Sequence, residues 1–124
     1  MEGPDLAKIL VVDDAMFMRS RLRGLLEGAG HEVTEAPNGK EAVERFSELQ
    51  PDLVLMDVTM PEMDGLEALK KIRSTSPTAK VIMCSALGQQ SIVLEAIKAG
   101  AKDFIVKPFR PEKVLEAVGR QIPQ

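Results

Sequence analysis

The chain alternates between short, continuously apolar runs and longer segments whose apolar residues recur with helical spacing. Five runs have the length and composition of β-strands, and they span residues 8–13, 31–36, 52–57, 80–85 and 103–107. Four of these runs contain an uninterrupted apolar stretch, which is ILVV, LVLM, VIMC or FIV. Strands covered on both faces of a sheet need such stretches. The run HEVTEA mixes charged residues with Val33, so we predict that it lies at an edge of the sheet.

Five segments carry apolar residues three and four positions apart, which predicts five amphipathic helices. These segments span residues 21–30, 38–49, 65–74, 91–100 and 111–122. Asn38 suits the cap of the second helix, Pro111 the first turn of the fifth, and Gly30 the end of the first. Strict alternation of strand and helix predicts an α/β fold in a single domain, residues 1–124, with helices on both faces of a parallel sheet.

Composition and charge narrow the classes of function. Sixteen basic and nineteen acidic residues give a net charge of −3, which offers no basic surface for nucleic acid or anionic lipid. No apolar run approaches the roughly 20 residues of a membrane-spanning helix, and the first residues are unlike a signal peptide. The single cysteine, Cys84, cannot form a disulfide within the chain. We therefore expect a cytoplasmic protein that neither inserts into membranes nor binds nucleic acid.

Polar or charged side chains close four of the five predicted strands. They are Asp13 and Asp14 after the first strand, Asp57 at the third, Ser85 at the fourth and Lys107 at the fifth. Because parallel strands all end on the same side of a sheet, we predict that these residues share the edge where open α/β sheets bind ligands. Each residue alone would carry little weight, since Asp14 by itself would be interpreted as a helix cap.

These side chains together indicate phosphate chemistry. Three carboxylates and one lysine sum to a charge of −2, so the acids would repel one another unless they were protonated or bound a divalent cation. A small set of oxygen ligands favours Mg²⁺, which tends to work with phosphate groups. One carboxylate can then attack phosphorus to form an aspartyl phosphate, while Lys107 and Ser85 supply a cation and a hydroxyl donor.

Four motifs contain these residues, namely VVDD at 11–14, MDVTMPEMDG at 56–65, CSA at 84–86 and KPF at 107–109. Together they resemble the receiver domain of two-component response regulators over nearly the whole chain. The runs DDAMFMR, CSALGQQ and IKAGAKDFIVKPF are similar to those of stand-alone chemotaxis regulators of the CheY type. The resemblance implies a flavodoxin-like, doubly wound sheet of five parallel strands in the order 2-1-3-4-5, with five helices. That order would bring Asp13, Asp14 and Asp57 together between the first and third strands.

The resemblance also implies a role for each site residue. Asp57 matches the phosphoacceptor, while Ser85 and Lys107 match the hydroxyl and the amine that hold the phosphoryl oxygens. The implied Mg²⁺ site consists of Asp14, Asp57, the backbone carbonyl of Thr59 and, through water, Asp13. Thr59 and Leu87 match positions that tune dephosphorylation.

A second set of residues matches the switch. Ser85 stands where threonine is frequent in the family, and Phe104 stands where the aromatic residue that reports phosphorylation is usually tyrosine. A phenylalanine lacks the hydroxyl through which a tyrosine could bond a partner. The peptide bond between Lys107 and Pro108 corresponds to a cis bond of the family, which only an X-Pro bond adopts at low cost.

The expected function is a phosphorylation-controlled switch. A chemotaxis-type histidine kinase donates its phosphoryl group to Asp57, Ser85 is drawn inward, and Phe104 fills the vacated space. The surface of the fourth helix, fifth strand and fifth helix then binds a partner, which by resemblance is the flagellar motor switch protein. A phosphatase is a further expected partner. We expect a monomer that turns over no external substrate.

Other functions remain open from the sequence. A phosphorelay intermediate, which passes its phosphoryl group to another histidine, is hardly distinguishable from a motor-binding regulator. A phosphatase of the haloacid-dehalogenase kind would also use an aspartate nucleophile, but it needs Asp-x-Asp after the first strand, and the sequence contains no such motif. An interaction module that never takes phosphate would not need all five polar residues at one edge.

Overall fold

The computed structural model describes residues 7–60, 63–86 and 89–122. Strands and helices alternate along the chain as β1 (Lys8–Val12), α1 (Met16–Gly28), β2 (Glu32–Ala36), α2 (Gly39–Leu49), β3 (Leu53–Asp57), α3 (Gly65–Thr75), β4 (Val81–Ala86), α4 (Gln90–Lys98), β5 (Asp103–Lys107) and α5 (Pro111–Gln121). The five predicted strands and five predicted helices are confirmed, and most boundaries agree within one or two residues.

The start of α1 differs most from the prediction. The helix begins at Met16, whereas the apolar spacing predicted a start at Arg21. Met16 and Phe17 are 69% and 72% exposed, so they add nothing to the buried stripe from which the helix was predicted. The residue at the cap position, Ala15, has no side chain that could mark the start, and Asp14 does not cap the helix.

The strands form one parallel sheet in the order β2-β1-β3-β4-β5, which confirms the predicted order and places β2 at an edge. The register aligns the carboxyl ends of neighbouring strands, with Val12 beside Met56 and Asp57 beside Cys84. The polar residues that close the strands are therefore carried to the same edge of the sheet, as the alternating pattern predicted.

Apolar side chains cover both faces of this sheet. One core cluster joins the sheet to α2, α3 and α4, and the other joins it to α1 and α5. Successive residues of β3 alternate between them, since Val54 belongs to the first cluster and Leu55 to the second, and both are fully buried. This two-sided burial explains why the central strands are apolar throughout, and it holds their carboxyl ends rigidly.

The predicted helix signals are present in the structure. The Asn38 side chain accepts a hydrogen bond from the backbone N–H of Glu41 at 2.9 Å, and Pro111 is the first residue of α5. Gly30 and Gly100 follow α1 and α4 with φ of 98° and 109°, where glycine avoids the strain of a side chain. In the part of the chain that the structure describes, no helix has the length and apolarity needed to cross a bilayer.

Candidate functional site

Side chains from β1, β3 and β5 meet at the carboxyl edge of the sheet. The Lys107 Nζ atom lies 2.9 Å from Asp13 Oδ2 and 3.0 Å from Asp57 Oδ1, so one ammonium group bridges two carboxylates. Asp13, Asp14 and Asp57 each offer a carboxylate oxygen, and these oxygens all lie within 4.8 Å of one another. We call these four residues the acidic site. The predicted proximity of the three acids and the lysine is thus what the structure shows.

The acidic site is only partly open to solvent. Asp13 and Asp57 are 2% and 7% exposed, whereas Asp14 is exposed. Burial raises the pKa of Asp57 above its ordinary value, and the negative charges of Asp13 and Asp14 act in the same direction. The hydrogen bond from Lys107 opposes this rise without cancelling it. The positive charge of Lys107 alone therefore does not balance the carboxylates of the site.

Lys107 is held in its charged form. Burial lowers the pKa of its ammonium group, but hydrogen bonds and charge interactions with Asp13 and Asp57 outweigh that effect and raise the pKa. The Lys107–Pro108 peptide bond is cis, as the resemblance implies. A permanently charged lysine between two acids can neutralise only part of their charge, so the remainder is available to another cation.

The donor set fits a hard divalent cation. Three carboxylates with oxygens in close reach supply only oxygen ligands, which Mg²⁺ prefers, and the exposed Asp14 leaves a route from solvent. Thr59, whose backbone carbonyl is the fourth predicted ligand, is exposed in the loop that follows β3. The role of that carbonyl stays a prediction.

Two close backbone contacts hold the loop between β3 and α3. The N–H of Gly65 donates to the carbonyl of Val58 at 2.8 Å, and a Cβ atom added at Gly65 would overlap the carbonyl oxygen of Asp57. The N–H of Gly39 donates to the carbonyl of Met63 at 3.2 Å, and a Cβ atom at Gly39 would overlap that carbonyl. Glycine is required at both positions because two backbones approach closely.

Gln89 also contacts the site loops, although no motif or spacing in the sequence singles it out. Its Nε2 donates to Thr59 Oγ1 at 2.8 Å, and its Oε1 accepts from the backbone N–H of Ala86 at 2.7 Å. A glutamine before a helix is usually a solvated surface residue, and nothing in a single sequence shows that its amide joins two loops. Leu87, which the resemblance associated with dephosphorylation, lies outside the described residues.

The predicted switch residues lie beside an apolar groove between α4 and β5. The groove has a volume of about 270 Å³, and its lining includes Ser85, Val93, Leu94, Ile97, Phe104 and Val106. Ser85 is 2% exposed, but Phe104 is 44% exposed, so nearly half of its surface is open to solvent. The surface that the resemblance associated with partner binding is therefore apolar and accessible in this conformation.

Comparison with known proteins identifies the family. The chemotaxis protein CheY of Thermotoga maritima is 59% identical over 114 residues, which cover 91% of this chain and 95% of the relative. CheY of Bacillus subtilis is 57% identical over 116 residues, which cover 93% and 97%. The crystal structure of the response regulator domain of Thermotoga maritima CheB has a TM-score of 0.87 at 37% identity and covers 94% of this chain and 96% of that one. Residues 9–119 match the family described as response regulator receiver domain, and the chain therefore belongs to that family.

Proposed function

We propose that the protein is a phosphorylation-controlled switch of chemotaxis signalling that accepts a phosphoryl group on Asp57. The observation that carries this proposal is the bridge from Lys107 to Asp13 and Asp57, next to three carboxylates whose oxygens lie within 4.8 Å. Membership of the receiver family and the names of the chemotaxis relatives support it. The family match gives no support to a haloacid-dehalogenase type of phosphatase.

The proposed transfer uses the ionised Asp57 carboxylate as the nucleophile. One of its oxygens forms a bond to the phosphorus of a phosphohistidine on the kinase, the P–N bond breaks, and the imidazole nitrogen leaves with the electron pair. Lys107 already lies 3.0 Å from Asp57, so its positive charge can stabilise the phosphoryl oxygens without a large rearrangement. Asp13, Asp14, Asp57 and the Thr59 carbonyl would hold Mg²⁺, which when bound supplies further positive charge to those oxygens.

The proposed switch connects this chemistry to the α4 and β5 surface. In the phosphorylated protein the Ser85 hydroxyl donates a hydrogen bond to a phosphoryl oxygen, and the space it leaves receives the Phe104 ring. Ser85 and Phe104 line the same groove, and Phe104 is 44% exposed, so the ring has apolar surface to bury. A partner such as a flagellar motor switch protein then distinguishes the two states by the altered surface.

Labelling with acetyl phosphate tests the proposal. Wild-type protein, Asp57→Asn and Asp52→Asn are incubated with acetyl phosphate and Mg²⁺, and the intact mass of each is measured. Asp52 is a matched control, because it lies just before the opposite end of β3 and its carboxylate accepts a hydrogen bond from the Lys8 N–H. We expect the wild type and Asp52→Asn to gain one phosphoryl group and Asp57→Asn to gain none. Equal labelling of Asp57→Asn would refute the proposed acceptor.

The same labelled protein separates a switch from a phosphorelay intermediate. A switch retains the label on Asp57 while its affinity for a partner increases. A phosphorelay intermediate transfers the label to a histidine of a second protein. Following the label in the presence of chemotaxis components therefore decides between these two roles.

A further inference from the structure

The Gln89 side chain joins two loops that leave different strands. Its amide nitrogen donates to Thr59 Oγ1 in the loop after β3, thirty positions earlier in the chain. Its amide oxygen accepts from the N–H of Ala86, the last residue of β4. Gln89 occupies the cap position of α4, yet its side chain makes no capping bond to that helix. Both polar ends of the amide are therefore used to connect the loops.

This connection holds a peptide group that the proposed switch must move. Ala86 directly follows Ser85, so the N–H that Gln89 holds belongs to the peptide bond formed by the Ser85 carbonyl. We take the proposed inward movement of Ser85 toward a phosphoryl group on Asp57 to include this peptide group. Phe104 is 44% exposed in the described conformation, which fits a resting state in which its ring has not filled the space beside Ser85.

We infer that Gln89 is a positioning residue that stabilises the resting conformation and so sets how readily the protein responds to phosphorylation. The inference rests on the proposed function, because it needs a conformational change at Ser85. Phosphorylation and the Gln89 amide act in opposition, since the phosphoryl group favours the inward position of Ser85 and the amide favours the present one. A ligand of the switched state must bind more weakly when the resting state is stabilised.

The effect of Gln89 can be separated from that of the acidic site, because Gln89 is uncharged. Gln89 carries no charge, so its removal leaves the electrostatics of the acidic site unchanged, unlike any change at Lys107 or the aspartates. Its two hydrogen bonds join neutral groups at an exposed position, so each contributes modestly. We expect loss of both bonds to shift the balance between the two conformations about fivefold.

The test uses beryllofluoride, a noncovalent mimic of the phosphoryl group, titrated in saturating Mg²⁺ and excess fluoride. Binding is followed through the backbone amide signals of Ser85 and Lys107 by nuclear magnetic resonance. The variants are Gln89→Ala, Thr59→Val and the double variant. Gln90→Ala serves as the control, because it removes a neighbouring, exposed glutamine that makes no side-chain hydrogen bond to the other described residues.

We expect Gln89→Ala to bind the mimic about fivefold more tightly than the wild type, and Gln90→Ala to bind it equally well. Thr59→Val should bind more tightly by a smaller factor, because it removes only one of the two bonds. In the Gln89→Ala background, the effect of Thr59→Val should be smaller than in the wild type, since the hydrogen bond between the two side chains is already absent. Urea unfolding of each variant establishes that the fold is retained.

Two results would overturn the inference while leaving the proposed function intact. One is equal or weaker binding by Gln89→Ala when the wild type binds the mimic normally. The other is an effect of Thr59→Val that is the same in both backgrounds, which would show that the two side chains act independently. If the wild type itself does not bind the mimic, the proposed function fails and this inference fails with it.

Discussion

Two charged clusters of this protein combine carboxylates with cations, but in opposite proportions. Between α1 and β2, two guanidinium groups contact the carboxylate of Glu35. Arg19 Nε lies 2.9 Å from Glu35 Oε1, and Arg23 Nε lies 2.6 Å from Glu35 Oε2. We call these three residues the arginine cluster. In the acidic site, one lysine lies among three carboxylates and pairs with two of them, Asp13 and Asp57. The two clusters are connected, because Arg19 Nη1 also donates to the backbone carbonyl of Asp13 at 2.7 Å.

The pKa values of the central carboxylates in the two clusters shift in opposite directions. Hydrogen bonds from Arg23 and Arg19 lower the pKa of Glu35, so the folded protein stabilises the charged carboxylate. Burial raises the pKa of Asp57, so the folded protein destabilises the charged carboxylate there. The arginine cluster is complete by itself and contributes to stability. In the acidic site the charge of Lys107 does not offset the cost of ionising Asp57, so a further cation would stabilise that carboxylate.

The largest expected effect is an increase in stability when the charge of Asp57 is removed. In metal-free solution at pH 7 we expect Asp57→Asn to raise the free energy of unfolding by about 1–2 kcal/mol. The pKa of Asp57 is raised in the folded state, so its ionisation destabilises the fold progressively as the pH rises above the unfolded value. The advantage of Asp57→Asn should therefore disappear in acid. Urea unfolding at pH 7 and pH 3 measures both values, and a less stable variant at pH 7 would contradict the comparison.

Magnesium should partly remove the instability of the acidic site. At a Mg²⁺ concentration ten times the dissociation constant, we expect the free energy of unfolding of the wild type to increase by about 1.4 kcal/mol. Asp57→Asn should gain less, because it offers one carboxylate fewer. Thermal unfolding with Mg²⁺ or with a chelator measures the difference. An equal gain in both proteins would show that Asp57 does not bind the ion.

The smallest expected effect lies in the arginine cluster and has the opposite sign. At pH 7 we expect Glu35→Gln to lower the free energy of unfolding by about 1 kcal/mol, because it removes the charge between the two arginines. The pKa of Glu35 is lowered in the folded state, so this contribution is present above the unfolded value of about 4.3 and is lost as the pH falls through the folded value.

Urea unfolding of Glu35→Gln between pH 7 and pH 3 checks this contribution. Glu48→Gln is the control, since Glu48 is exposed and forms no ion pair with another residue of the described ranges. Its stability should match that of the wild type at every pH. A Glu35→Gln variant as stable as the wild type at pH 7 would mean that the arginine cluster contributes nothing to folding.

Much of the fold could be predicted from the sequence because its signals are local. Strands buried on both faces are apolar throughout, and the helices carry regular apolar stripes, so the elements were recognisable. The order of the strands could not be predicted from alternation, because alternation does not show which strands are neighbours. The predicted order came from the family resemblance. The start of α1 was missed because exposed Met16 and Phe17 carry no periodic signal.

The predictable part of the candidate site consists of residues that end strands. Asp13, Asp57 and Lys107 could be assigned to one edge because parallel strands share a direction. The contacts of Gln89 and Glu35 could not be predicted, because their partners lie on other elements. The sequence separation between the partners follows no regular spacing. Side-chain contacts of this kind depend on the packed backbone, and a single sequence does not reveal them.

The glycine contacts around the β3–α3 loop have a consequence for how a disturbance at Asp57 spreads. At Gly65 and Gly39 backbone lies directly against backbone, so no side chain is present there that could rearrange. On the opposite side, the loop meets β4 through the flexible amide of Gln89. The loop is therefore held by close backbone contacts at the two glycines and by a single side chain at β4. A displacement that begins at Asp57 should therefore pass more readily toward α4, where one side-chain amide makes the contact, than toward Gly39 and Gly65.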